Sequence, residues 1–257
     1  MKNRVIMVGV GCSGKSLLTT HLHRLAPSFA VHQDDFAPAQ EDIPIHPVHK
    51  VQDWDDPPTA IDWARMRSVL RHVRSNGRFE DGYKSYQHLN DAVEVGVDED
   101  ATIRLRREFA KIQKHAAQKG ERLTYVLVDG FMLYYDTEVQ DNLDVKLLLR
   151  VPRETLKKRR EGRHFPCVVA ELTSDAKDAE TGATWVDPPE YFDNVVWPAY
   201  IKAHETVFDP SPDGPLKDKS ITLLEPGEGQ DEVTRIVDEA CAAILGAYER
   251  GLGNLIG

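Results

Sequence analysis

Cysteine is scarce in this chain. The three cysteines among 257 residues, Cys12, Cys167 and Cys241, are too far apart for a disulfide framework or a zinc knuckle. A reducing, intracellular and so cytoplasmic compartment is the expectation. Long apolar runs are also missing. Val5–Val8 and Tyr125–Val128 are strand-sized, far short of the roughly 20 residues that span a bilayer. The first residues, MKNRVIMVGVG, enter a strand and then glycines, without the apolar core of a signal peptide. Positive charge is short as well: 32 basic against 42 acidic residues give a net charge of −10. That argues against nucleic acid or an anionic membrane as partner, and no protein partner is implied. What remains is an ordinary globular balance, 41% hydrophobic and 29% charged. The length suits one α/β domain or two small ones, and we read residues 1–257 as one.

The chain alternates strands and helices. Arg4–Gly9, Phe29–His32, Tyr125–Val128, Val145–Val151 and Ile221–Glu225 read as five strands. Helices are expected over Lys15–Leu25, Thr59–Ser75, 101–119, Arg153–Arg163, Pro189–Phe208 (kinked at Pro198) and Glu232–Tyr248. Five prolines between 37 and 58 make that stretch a loop. Two polar segments, 77–100 and 164–187, read as a surface insertion and a second loop. This order predicts a five-stranded parallel sheet flanked by helices, with ligands at the carboxyl ends of its strands. Three strand ends carry polar residues: Gly9–Ser16, Asp34–Asp35 and Asp129.

Gly9-Val10-Gly11-Cys12-Ser13-Gly14-Lys15-Ser16 fits the phosphate-loop signature G-x-x-x-x-G-K-[ST] in the required strand-to-helix context. Its glycines let a loop turn its N–H groups onto phosphate oxygens, helped by the helix N-terminus. Lys15 would reach the β- and γ-phosphates of ATP and Ser16 would ligate Mg²⁺. Cys12 serves as a small residue whose N–H matters. Asp129, ending an apolar strand, would support Mg²⁺ through water or merely cap the next turn. Asp34 or Asp35 could orient an alcohol and accept its proton, or form a solvated turn. Lys157, Lys158, Arg159, Arg160 and Arg163 form the densest basic cluster, suited to a lid over transferring phosphate or to a helix C-terminus. His46 and His49 lack a third ligand nearby, and the guanine-reading N-K-x-D is absent.

The phosphate loop, Gln33-Asp34-Asp35-Phe36, Trp54-Asp55, Asp129-Gly130-Phe131, Arg159-Arg160 with Arg163, and Asp187 followed by Tyr191-Phe192-Asp193 and Val196-Trp197-Pro198 appear in order over most of the chain. Together they resemble the nicotinamide riboside kinase family, in the uridine-kinase-like branch of P-loop kinases. The resemblance implies a P-loop kinase fold with a small lid at about 159–188. It implies transfer of phosphate from ATP, with Mg²⁺, to the 5′-hydroxyl of nicotinamide riboside, a step in NAD biosynthesis, with nicotinic acid riboside as a second candidate. Asp34 would be the base and lie near Mg²⁺ with Ser16 and Asp129. Asp55 and Arg160 would hold the ribose hydroxyls. Trp54 and Phe165 would stand at the nicotinamide ring, with Asp35, Phe36 and Asp187 also on the nucleoside side. Arg159 and Arg163 would contact ATP, and Pro226 and Gly227 would lie near the adenine. Two departures stand out: the insertions at about 77–100 and 168–184 are longer than in compact members, and Asp129 stands where some members have Glu, which keeps the charge but shortens the reach. A uridine or cytidine kinase and an inactive nucleotide-binding regulator are the alternatives.

Overall fold

The computed structural model describes residues 1–85, 95–162 and 187–257, with the backbone of 165–166 and 184–185. The expected strands form one sheet. β1 (Lys2–Cys12), β2 (Ser28–His32), β3 (Glu121–Gly130), β4 (Val145–Leu149) and, after two-residue strands β5 (Phe165–Pro166) and β6 (Thr184–Trp185), β7 (Ile221–Leu224) are its parts. The order is β2-β3-β1-β4-β7, all parallel, while β5 and β6 form a separate antiparallel pair.

Side chains of a strand alternate between faces, and here both faces are covered. Ile6, Val8 and Val10 of β1 enter one core with Leu18, Leu22, Phe109 and Ile244. Val5 and Met7 enter the other with Phe36, Met66, Leu70 and Tyr134. This is why the strands read as continuous apolar runs.

The helices are α1 (Lys15–Leu25), α2 (Trp63–Asn76), α3 (Glu99–Gln118), α4 (Thr137–Asp141), α5 (Arg153–Glu161), α6 (Trp197–Ala203) and α7 (Gln230–Glu249). Asp62 caps α2 by accepting from the Arg65 N–H at 3.0 Å, which starts the helix four residues later than periodicity suggests. Gly77, at φ 67°, ends it. The expected kinked helix over 189–208 is instead a π-turn, Phe192–Val196, followed by α6, with Pro198 in the first turn of α6 where proline needs no N–H partner.

A strand absent from the sequence reading, β8 (Asn254–Ile256), pairs antiparallel with Asn3–Val5. β4 covers that edge of β1 only from Val8 onward, so β8 closes the part left open. Among the described residues, no helix is long and apolar enough to cross a membrane.

Candidate active site

The three polar strand ends share one rim, as expected. Asp129 stands opposite Val10 in the β1–β3 register and opposite His32 in the β2–β3 register, and Asp34 follows two residues after His32. Parallel strands of similar register bring their carboxyl ends together.

The turn of the phosphate loop belongs to fewer residues than the motif suggests. Gly9 and Gly11 lie inside β1 rather than in the turn. A Cβ on Gly11 would sit 2.7 Å from the Tyr134 ring, and one on Gly9 would sit 2.6 Å from Leu143. Their missing side chains make room for packing. The turn itself comes from Cys12 at φ 71° and Gly14 at φ 92°. Gly14 is the N-cap of α1 and no side chain caps that helix. Its first N–H groups therefore stay open to an anion. Lys15 Nζ lies 3.4 Å from Asp34 Oδ2, and Arg159 donates to Ser13 Oγ at 3.1 Å.

Cys12 is held from below by a residue the sequence reading missed. Its Sγ lies 3.0 Å from His204 Nε2, and His204 Nδ1 lies 2.8 Å from the Tyr200 carbonyl. Nδ1 therefore carries the proton and Nε2 accepts from the thiol. Burial pushes the Cys12 thiol up to about 12 and the His204 imidazole down to about 4, so both are neutral. The pair is a strut for the loop; the thiol is no nucleophile.

Gln33-Asp34-Asp35-Phe36 forms a single 3-10 turn in which three residues are anchors. Gln33 Oε1 accepts from the Met132 N–H at 2.9 Å, and the Gln33 side chain fills the space that a Cβ on Gly130 would need. Asp35 is buried and turned toward the Tyr83 hydroxyl, with Oδ2 accepting at 3.0 Å. Phe36 is fully buried beneath the Arg65 guanidinium, 5.0 Å above its ring. Asp34 alone faces the phosphate loop, its side chain 37% exposed.

Asp129 is buried, with Oδ1 bonded to His32 Nδ1 at 3.1 Å. Burial works to lower the His32 imidazole, but Asp129, with Asp35 and Asp34 behind it, outweighs that and raises it. Asp129 Oδ2 is buried without a hydrogen-bond partner among the described residues. An orphaned carboxylate oxygen is costly unless a cation satisfies it, and Ser16, Asp34 and Asp129 supply the oxygen donors a hard cation takes. These are the donors that Mg²⁺ would take. Among the described residues, no group of three or more His, Cys, Asp and Glu side chains could hold a metal ion.

The opposite wall centres on Arg160. It grips Asp55 through two parallel bonds of 2.9 and 3.0 Å and reaches Asp187 at 2.6 Å. Burial would lower its pKa, but the two carboxylates raise it, so the guanidinium stays charged. Its plane lies 5.7 Å from the Tyr191 ring. The Tyr191 hydroxyl accepts from the Trp54 N–H at 3.2 Å and donates to the Gln52 carbonyl at 3.0 Å. Trp54 is thus pinned through its backbone, beside Asp55 and the buried Asp53.

The side chains of the basic cluster reach different partners. Arg160 faces the acids of this wall, Arg159 faces the phosphate loop, and Lys157 pairs with Asp193 at 2.5 Å. Arg163, the insertion at 168–184 and most of the lid lie outside the described residues, and for Phe165 only the backbone is described. Pro226 and Gly227 follow β7 on the same rim, with the Gly227 N–H donating to Glu232 at 3.1 Å.

An uncapped helix behind a Gly-Lys-Ser turn, a lysine beside a strand-end acid and a facing wall of carboxylates define a P-loop phosphotransferase of the nucleoside-kinase class. No family model matches the chain. Among curated proteins it is 32% identical over 208 residues to "Nicotinamide riboside kinase" of Eremothecium gossypii, covering 79% of this chain and 77% of that one. It is also 32% identical over 228 residues to the protein of the same name from Schizosaccharomyces pombe, covering 87% and 90%. The Saccharomyces cerevisiae protein of that name is 28% identical over 211 residues, 80% of each chain. The chain belongs to the nicotinamide riboside kinase family.

Proposed function

We propose that this protein transfers the γ-phosphoryl group of ATP to the 5′-hydroxyl of nicotinamide riboside, giving ADP and nicotinamide mononucleotide, a step in NAD biosynthesis. Family membership supports the substrate class. The observation that carries the chemistry is Asp34, presented alone from its turn with Lys15 at 3.4 Å. The open N–H groups of α1 and Lys15 take the β- and γ-phosphates, and Arg159, beside Ser13, meets the transferring group. Asp34 accepts the 5′-hydroxyl proton as the O5′–phosphorus bond forms and the bond to the ADP oxygen breaks. Ser16, Asp34 and Asp129 hold Mg²⁺, which when bound neutralises phosphate charge. Asp55 and Arg160 bind the ribose hydroxyls, with the Tyr191–Trp54 contact setting the floor.

Charge supports nicotinamide riboside over a pyrimidine nucleoside. Its pyridinium ring is a fixed cation, and Trp54 lies between the buried Asp53 and Asp55 along the chain, where Arg160 pairs with Asp55 and Asp187. Aromatic faces and surplus carboxylates both favour a cation. An ADP-release assay across nicotinamide riboside, nicotinic acid riboside, uridine and cytidine tests the reading. Highest kcat/KM with nicotinamide riboside is expected. Higher values with uridine or cytidine overturn the substrate, and no ADP release with any nucleoside overturns the activity.

A further inference from the structure

The segment 77–85 follows α2 in the stretch that reads as a surface insertion, yet it reaches the active-site rim. Phe79 packs on Phe29 of β2 with ring centroids 5.0 Å apart. Tyr83 stacks flat on Phe79, at 4.1 Å and an interplanar angle of 3°. This short aromatic ladder rises from the sheet and delivers the Tyr83 hydroxyl to Asp35 Oδ2 at 3.0 Å. The acceptor is buried, where a hydrogen bond to a charged group is worth most and its loss costs most. On the other side of the same residue, Arg65 donates to the Asp35 carbonyl at 2.5 Å. Asp35 is therefore clamped at both its backbone and its side chain, and its neighbour Asp34 is the acid facing Lys15.

We propose that Tyr83 is a positioning residue for phosphoryl transfer: through Asp35 it fixes the Gln33–Phe36 turn so that Asp34 points at the phosphate loop. The proposal rests on the assignment of Asp34 as the proton acceptor. It gives the segment after α2 a role in the reaction, and it predicts an effect on kcat without one on nucleotide binding. The physical reason is that a proton acceptor displaced by a fraction of an ångström loses its near-attack geometry, whereas the phosphate loop is held separately by Cys12 and His204.

Tyr83→Phe is the decisive variant, because it removes the hydroxyl and keeps the stacked ring. kcat for nicotinamide riboside should fall about 5- to 20-fold, with KM for ATP changed less than about 2-fold and the melting temperature nearly unchanged. Asp35→Asn added to Tyr83→Phe removes the carboxylate that the hydroxyl serves, so the double variant should lose less than the product of the two single losses. Amide hydrogen exchange gives a readout that does not need turnover. The Ala37, Asp62 and Met132 N–H groups are bonded to Asp34, Phe36 and Gln33 respectively, and they should exchange several-fold faster in Tyr83→Phe. Wild-type kcat and wild-type exchange at those amides in Tyr83→Phe would overturn the proposal. So would equal rises in KM for ATP and nucleoside with a lowered melting temperature, the mark of a general packing defect. A wild-type protein that phosphorylates no nucleoside would defeat the functional reading instead, and the exchange measurement would still decide whether Tyr83 holds the turn.

Discussion

In the proposed reading, eight consecutive residues, Gly9–Ser16, supply most of the phosphate side of the site, whereas the nucleoside side draws Asp55 and Arg160 together across 105 positions and adds Asp187 and Tyr191 from a third segment. The phosphate side works mainly through backbone: a positive-φ turn and the open end of α1. Backbone N–H groups recognise any polyphosphate, so a local motif suffices. The nucleoside side works through side-chain charge, with one guanidinium between two carboxylates. It can hold its shape only because the surrounding fold buries it, and its choice of partner depends on that shape. Phosphate binding and substrate choice should therefore fail independently when mutated.

The sharpest break in the comparison is at Asp34, which the proposed reaction places between the two sides. Asp34→Asn should keep ATP binding while kcat falls by at least about 10²-fold. Near-normal turnover by a folded variant would remove Asp34 from the chemistry, and calorimetric titration of ATP checks that binding survives. Arg160→Ala comes next. It leaves Asp55 buried without its counter-ion, and the breaking of a buried pair should cost about 3 kcal/mol of stability by denaturant unfolding. On the other side, Arg159 touches Ser13 Oγ. Arg159→Ala should lower kcat/KM for ATP about 10- to 100-fold, while its unfolding midpoint stays close to that of the wild type. If both arginine variants lost stability equally, the proposed division between Arg160, which also anchors the buried acids, and Arg159, which does not, would be wrong.

The smallest effect belongs to Trp54 and refines the nucleoside side itself. Trp54→Ala should lower kcat/KM for nicotinamide riboside roughly 5- to 30-fold, the range that cation–π energies imply. Any activity on uridine should fall less, since a neutral ring loses stacking alone. Equal losses on both substrates, with reduced thermal stability, would make Trp54 a loop anchor fixed by Tyr191.

Much of this was readable before any coordinates. The five strands stood out because a sheet buried on both faces needs apolar residues at every position. The phosphate loop stood out because its chemistry is local. β8 and α4 were not seen, being three and five residues long and too short to carry a period. Of Gln33–Phe36, residue type alone left two acids open, and only the family resemblance pointed to Asp34. The difference between them lies in Tyr83 and Arg65, residues 48 and 30 positions away. The signal for Tyr83 was faint: Phe79 and Tyr83 stand four apart in a stretch without a period. His204 carried no signal, because a histidine 192 positions from the phosphate loop looks like any other.

The sequence by itself determined the sheet, the phosphate loop and the chemistry of a phosphotransferase, because periodicity and a turn motif act between residues close along the chain. Only the tertiary structure decided that Gly9 and Gly11 serve packing while Cys12 and Gly14 make the turn. It also decided that Asp35 is anchored while Asp34 faces Lys15, and that neighbouring arginines 159 and 160 reach different partners, Ser13 and the Asp55–Asp187 pair. These outcomes depend on which buried polar group finds which partner. A buried carboxylate must be satisfied wherever the fold supplies a donor, and nothing in the local sequence says where that donor comes from.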